Sequence, residues 1–378
     1  MRPRSGWVQL ATVALVAVFL TVAGCSGPDQ RAPTPTTAEP PKTVPASGTP
    51  SGPSPGSPIG QPRVIAHNLD TPWGVVFLPG GDALVGQRNS GRIVRLTSSG
   101  AITTLTTIHV VASGESGLLG LARSPSYQID HLVYAYYTSS DDNRVVRFTV
   151  VGTHAGAIEP VLTGIPKGSI HDGGRIAFGP DGMLYVGTGE TGNDQLAQDR
   201  NSLGGKILRV RPDGSVPGDN PFAHSPVWTL GHRNVQGLAW DSHRRMFAAE
   251  FGPDRDDEIN RITAGRNYGW PIVTGRPHDP RFVDALITFP PDQNSASGLA
   301  ITAGALWTGA LAGTRLWRIP ENADGTLGHP RALLVGRYGR LRTVGVAPDG
   351  ALWVTTSNRD GRGDPSSSDD RILRIPLR

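Results

Sequence analysis

Arg92-Ile93-Val94-Arg95-Leu96 sets a pattern that returns five more times along the chain. The other copies are Arg144-Val145-Val146-Arg147-Phe148, Lys206-Ile207-Leu208-Arg209-Val210, Glu258-Ile259-Asn260-Arg261-Ile262, Arg315-Leu316-Trp317-Arg318-Ile319 and Arg371-Ile372-Leu373-Arg374-Ile375. Each places a polar residue ahead of a short apolar stretch, then arginine and one more apolar side chain. The arginines recur about every 50–60 residues, the period of a propeller blade. Six copies mean six blades, so we expect an all-β fold, a six-bladed β-propeller of four-stranded antiparallel blades.

Outside the repeated segment each unit keeps one grammar. An apolar strand (Gly174–Phe178, Gly237–Trp240, Thr343–Ala347) meets a tight turn such as Pro180-Asp181-Gly182 or Pro348-Asp349-Gly350. Proline presets one φ of such a turn and glycine accepts the positive one, so the chain reverses into an antiparallel neighbour. A second strand follows (Met183–Val186, Ala351–Val354), then a longer loop, then the arginine-bearing strand. After Pro62 no long window carries a 3.6-residue apolar period, so helices should be short or absent. In this architecture loops from one face of every blade converge on a central channel, and a ligand site draws on residues far apart in sequence. The loops 187–205, 250–257 and 357–370 are the ones to watch.

The N-terminus reads differently. Arg2 and Arg4 precede an apolar run from Val8 to Ala23, the layout of an export signal. The run is short for a membrane span, which needs about 20 apolar residues. It ends in Val22-Ala23-Gly24-Cys25, similar to a bacterial lipobox, and Cys25 is the only cysteine in the chain. We expect residues 1–25 to be a lipoprotein signal whose Cys25 carries the lipid anchor. That places the mature protein on the extracytoplasmic face of the cell membrane. Residues 26–62 hold eleven prolines among many Ser, Thr and Gly, with no aromatic residue, and read as a tether. The propeller is expected over residues 63–378. With no second cysteine, it must hold by packing alone. The net charge of +4 rests almost wholly on arginine, but the arginines are scattered one or two per strand, so nucleic acid is not an expected partner.

Several polar groups fall at blade edges. His171, in Ile170-His171-Asp172-Gly173-Gly174-Arg175, stands before an inner strand, where an imidazole can act as a base near neutral pH. Read alone, an ordinary hydrogen-bonded loop histidine is the plainer reading. Gly231-His232-Arg233-Asn234-Val235-Gln236-Gly237 holds the same place one blade on. The stretch 250–258 is dense in acids and contains Gly252-Pro253; calcium takes oxygen ligands, backbone carbonyls included, while a solvated acidic loop is the plainer reading. Two motifs fail on context. Gly187-Thr188-Gly189-Glu190-Thr191-Gly192 fits G-x-G-x-x-G but lacks the helix and βαβ unit that phosphate binding needs. Ser116 lacks the spacing of a nucleophile elbow. Arg362-Gly363-Asp364 reads as coincidence.

Taken together, His171-x-Gly-Gly-Arg175, Gly231-His-Arg-Asn-x-Gln-Gly237, Glu250-x-Gly-Pro253 with Asp257-Glu-Ile-Asn260, and Asn267-Tyr-Gly-Trp-Pro271 resemble the pyrroloquinoline quinone (PQQ)-dependent glucose/sorbosone dehydrogenases. Gly117-Leu-Leu-Gly120 and Gly205-Lys-Ile-Leu-Arg209 add to the likeness, which spans roughly residues 67–378. The resemblance implies a six-bladed sugar oxidoreductase that passes hydride from the anomeric carbon of an aldose or polyol to the quinone and hands electrons to an external acceptor. It implies His171 as the base and Arg233 beside it, with Arg233 and Asn234 against the cofactor. Gly252 and Pro253 would give carbonyl oxygens to Ca2+, and Arg340 and Arg342 would face the cofactor's carboxylates. Glu115 falls where the family has a polar residue near the cofactor, often an amide. Ala312 stands where a cofactor-contacting lysine is expected, Val235 where proline is usual. Because one fold serves many roles, the alternative is a non-catalytic propeller that binds a cell-envelope glycan or protein partner.

Overall fold

The computed structural model describes residues 57–378; the expected signal segment, Cys25 and most of the expected tether lie outside them. Six antiparallel sheets follow one another in sequence order, each running from an inner strand outward. Blade 1 is Pro72–Phe77, Ala83–Gln87, Arg92–Leu96 and Ile102–Thr107; blade 2 is Leu118–Arg123, Leu132–Thr138, Asn143–Val151 and Glu159–Ile165, with a short extra pair at His154–Ala155. Blade 3 is Ile176–Phe178, Leu184–Gly187, Lys206–Val210 and Val227–Leu230, and blade 4 is Val235–Trp240, Met246–Glu250, Asp257–Ile262 and Ile287–Phe289. Blade 5 is Ala296–Thr302, Ala305–Ala310, Arg315–Pro320 and Arg331–Leu333. Blade 6 takes Leu341–Val346, Leu352–Thr356 and Ile372–Ile375 from the C-terminus and its outer strand, Arg63–Ala66, from the far end of the domain. Among the described residues helix is confined to single turns at Tyr127–Asp130, Asp194–Ala197 and Pro291–Gln293. The all-β, six-bladed expectation therefore holds.

The repeated arginine segment is the third strand of every blade. In blades 1, 3 and 6 its arginine reaches back to the aspartate of the turn between the first two strands: Arg95 to Asp82 at 2.7 Å, Arg209 to Asp181 at 3.0 Å and Arg374 to Asp349 at 2.5 Å. In those three blades the pattern is a staple on one face of the ring, while Arg147 pairs with Glu159 and Arg318 lies over the Trp307 ring. Alternation of antiparallel strands puts the loops between second and third strands, and those entering each inner strand, on the opposite face. Aliphatic and aromatic side chains fill the space between blades. Trp73, Leu119, Tyr134 and Tyr136 pack with Ile176, Val186 and Leu208 where blades 1 to 3 meet, and Trp307 and Leu316 pack with Leu341 and Val354 between blades 5 and 6.

Five inner strands share a second feature. Their register against the second strand slips near the loop end, between Pro72 and Val75, Leu118 and Leu121, Val235 and Gly237, Ala296 and Leu299, and Leu341 and Val344. A bulge re-aims the side chain it contains. Here Trp73, Gln236, Ser297 and Arg342 are turned toward one another, and Ser297 Oγ and Arg342 Nη1 both donate to Gln236 Oε1, at 2.9 and 3.2 Å. Arg175 completes this floor, its guanidinium 4.2 Å from the Trp73 ring and its Nη2 donating to Thr343 Oγ1 at 3.1 Å.

The folded chain begins earlier than Pro62. Ile59 is buried and bridges Leu377, and the Gly60 amide donates to Pro376 O at 2.7 Å. Proline density hid one apolar residue that the last blade needs.

Candidate active site

Above that floor lies a cup bounded by loops from several blades. His171 sits in the loop entering blade 3 with φ +55, a left-handed conformation unusual for a side-chain-bearing residue. Its amide donates to Glu115 Oε2 at 2.9 Å, and its Nδ1 is held by Glu190 Oε1. That leaves Nε2 without a protein partner among the described residues, on a side chain that is 12% exposed. Glu190 arrives on the loop after the second strand of blade 3, which lies hard against the His171 loop. A Cβ on Gly189 would fall 1.7 Å from His171 O, so only glycine lets the two segments meet. The glycine-rich run that fails as a phosphate loop therefore delivers the carboxylate that orients His171.

Asn234 and Arg233 come from the loop entering blade 4. Asn234 is fully buried; its Nδ2 donates to Glu115 Oε2 at 3.3 Å and its Oδ1 accepts the Gly173 amide at 3.0 Å. Arg233 donates through Nη1 to Gly252 O at 2.7 Å and lies 5.4 Å from the centre of the Trp270 ring. Its Nε is buried without a partner, as is Trp270 Nε1. Burial lowers the Arg233 pKa, against the nearby charges of Glu190 and Glu115. Gly252 and Pro253 line the same recess as Arg233, Glu250, Trp270 and Thr274. The Gly252 amide is fixed by Asp257 Oδ1 at 2.9 Å.

His171, Glu115, Arg233, Asn234, Gly252 and Pro253 are thus brought together from four loops. The two late arginines divide. Arg342 lines the cup with Glu115, Gln236 and Asp360, while Arg340 is not among those lining residues. Arg340 spends its guanidinium on Asp360 Oδ2, at 3.0 Å through Nη2, and the same oxygen takes Arg342 Nη2 at 3.3 Å. Burial pulls the Arg342 pKa down to about 10, against the Asp360 charge. Burial also works against ionisation of Glu115, but the hydrogen bond and charge of Arg362 and the His171 amide hold its carboxyl below the ordinary value. Ser116, excluded as a nucleophile, bonds Gly168 O and Asp172 Oδ2 at 2.7 and 2.8 Å and is structural.

Sequence reasoning missed Glu190, Asp360, Arg362 and Arg88. Glu190 lay inside a motif judged only for phosphate chemistry, and Arg362 inside a tripeptide read as chance. Asp360 lay in a loop picked out for its length. Arg88 had no local signal, since its neighbours in the cup come from other blades.

This is a six-bladed propeller whose channel mouth gathers an oriented imidazole and several guanidiniums, groups whose chemistry suits proton transfer and anion binding. The chain belongs to the glucose/sorbosone dehydrogenase family, a family of oxidoreductases, whose model matches residues 69–363. It is similar in structure to a PQQ-bound aldose sugar dehydrogenase from Streptomyces coelicolor, with 51% identity and a TM-score of 0.82 over 87% of this chain and 100% of that one. Quinoprotein glucose dehydrogenase B of Acinetobacter calcoaceticus is 32% identical over 295 residues, 65% of this chain and 62% of that protein. Aldose sugar dehydrogenase YliI of Escherichia coli K12 is 28% identical over 337 residues, 79% of this chain and 90% of that one.

Proposed function

We propose that this chain is a PQQ- and calcium-dependent dehydrogenase of aldose sugars or related polyols, exported as a lipid-anchored protein that passes electrons to an external acceptor. The observation that carries the reading is that the pocket lined by Arg233 and the one lined by Arg342 share Phe251, beside the contact of Glu115 with His171, with buried donors left unmatched. Arg233 Nε and Trp270 Nε1 lack partners, and the Arg342 guanidinium lines the neighbouring pocket. Such a donor set fits a planar polycarboxylate, because guanidinium forks match carboxylates two bonds at a time. Among the described residues no group of three or more His, Cys, Asp or Glu side chains is arranged to hold a metal ion. A calcium ion would instead take the carbonyl oxygens of Gly252 and Pro253, a hard-oxygen donor set.

PQQ, when bound, supplies a two-electron hydride acceptor polarised by the ion. The protein's part is to hold the sugar hydroxyl against His171 Nε2, which removes its proton as the C–H bond gives up hydride. Glu190 keeps Nδ1 engaged, so the proton-accepting nitrogen is fixed as Nε2. Asn234 and Glu115 hold the His171 loop from behind. Export and anchoring rest on Arg2, Arg4, the apolar run 8–23 and the lipobox-like Cys25.

Reconstituting the purified protein with calcium and PQQ and following dye reduction across a panel of aldoses tests the activity. Turnover with at least one aldose is expected; a protein that binds no quinone at micromolar concentration is not this enzyme. Metabolic labelling with a fatty acid that depends on Cys25 tests the anchor.

A further inference from the structure

One arginine of the cup has no task in the chemistry above. Arg88 follows the second strand of blade 1 and is 6% exposed. Its backbone is clamped on both sides, its amide donating to Thr71 O at 3.1 Å and its carbonyl accepting the Leu118 amide of blade 2 at 3.0 Å. Gly117, at φ +136, makes room for the stem: a Cβ there would lie 2.9 Å from Arg88 Cγ. Arg88 Nε donates to Asn89 Oδ1 at 3.0 Å, and Asn89 is fixed in turn by Asp70 Oδ1 at 2.8 Å and Thr71 Oγ1 at 3.1 Å. The guanidinium plane is therefore set, yet neither terminal nitrogen bonds any described residue. The side chain lines the pocket shared with Trp73, Glu115, Gln236, Arg342, Asp360 and Arg362. Asp360 and Glu115 act on this cation through space without bonding it, and a ligand anion that bonds it offsets its desolvation.

Glu115 faces the same pocket as an ionised carboxylate, which would repel such an anion. It is neutralised from across the mouth, where Arg362 of the last blade's loop donates from Nη1 to Glu115 Oε1 at 2.8 Å.

We propose that Arg88 binds a carboxylate of the quinone cofactor directly, and that Arg362 is a positioning residue that cancels the charge of Glu115 so that this anion can enter. The inference deepens the proposed function and rests on it. It assigns the cofactor's acidic edge to the side of the cup between blades 1 and 6.

The test is equilibrium binding of PQQ to the full-length protein in calcium buffer, read by quenching of tryptophan fluorescence, with apo-protein melting temperatures as the folding control. Loss of one charge-assisted bidentate contact predicts that Arg88→Gln raises Kd about 10–100-fold, with Arg88→Lys in between. Arg362→Gln is expected to raise Kd about 10-fold, and adding Glu115→Gln to it to restore most of the loss. Arg88→Gln, or Arg88→Lys should the first variant fail to fold, binding within twofold of the parent overturns the assignment of Arg88. Failure of Glu115→Gln to rescue overturns that of Arg362. Should the parent bind no PQQ, the proposed function falls, and thermal shift with benzene-1,3,5-tricarboxylate becomes the readout. Stabilisation of the parent that Arg88→Gln abolishes upholds an anion site there; no stabilisation of the parent rejects it.

Discussion

His171 and Glu190 show how little a single residue says until its neighbour is known. From the sequence, the plainer reading of His171 alone was a structural loop histidine; the carboxylate on its Nδ1 leaves Nε2 as the nitrogen free to take a proton. His171→Ala should bind PQQ with near-parental affinity and lose about 10²–10⁴-fold in kcat, the usual worth of a positioned base. Unchanged turnover removes it from the mechanism. A second residue, Glu258, belongs to stability. Burial first, then the neighbouring Glu250 charge, push its carboxyl up to about 8. A raised acid stabilises the fold while protonated, in full below its unfolded value, and that contribution is lost as pH rises through about 8. With chelator present, the parent apo-protein should melt lower at pH 9 than at pH 6, and Glu258→Gln should flatten that slope. A parental slope in the variant refutes the assignment.

The strand pattern was readable because each blade repeats it; the functional loops were not, because each differs. Apolar alternation, Pro-Asp-Gly turns and the arginine strand appear in one unit after another, and their purpose is local: Arg95, Arg209 and Arg374 staple turns on the face away from the cup. Removing the half-exposed pair Arg374–Asp349 by Arg374→Ala should cost no more than about 1 kcal/mol in urea melts and leave activity alone. Gly189 makes the opposite case. Gly189→Ala forces the Glu190 and His171 loops apart, because no flexible atom can yield at His171 O, and activity should fall well beyond any change in melting temperature. Parental kcat in that variant contradicts the contact. The register slips that build the channel floor left no sequence signal, since a bulge depends on the pairing of two strands and not on either alone.

Closure of the ring depends on a segment from the far end of the domain, Arg63–Ala66, completing the last blade. Removing residues 1–56 should leave the melting temperature unchanged, whereas removing residues 1–66 exposes the edge of Ile372–Ile375 and Ile59's partner Leu377 and should abolish cooperative unfolding. Equal stability of the two truncations would mean that the strand does not close the ring. The cup exists only because the ring is closed, with its imidazole, its guanidiniums and its Gly252-Pro253 bend drawn from loops far apart in sequence. The family resemblance pointed to most of these residues, while Arg88 and Arg362 became visible only once blades 1 and 6 stood side by side. The decisive measurement is an anaerobic absorption titration of the calcium-loaded protein with PQQ, followed by one aldose addition. One equivalent of quinone bound, and its oxidised band bleached by the sugar in the parent but not in His171→Ala, is the predicted result. Quinone that stays free in solution, or a band bleached equally in both proteins, contradicts it.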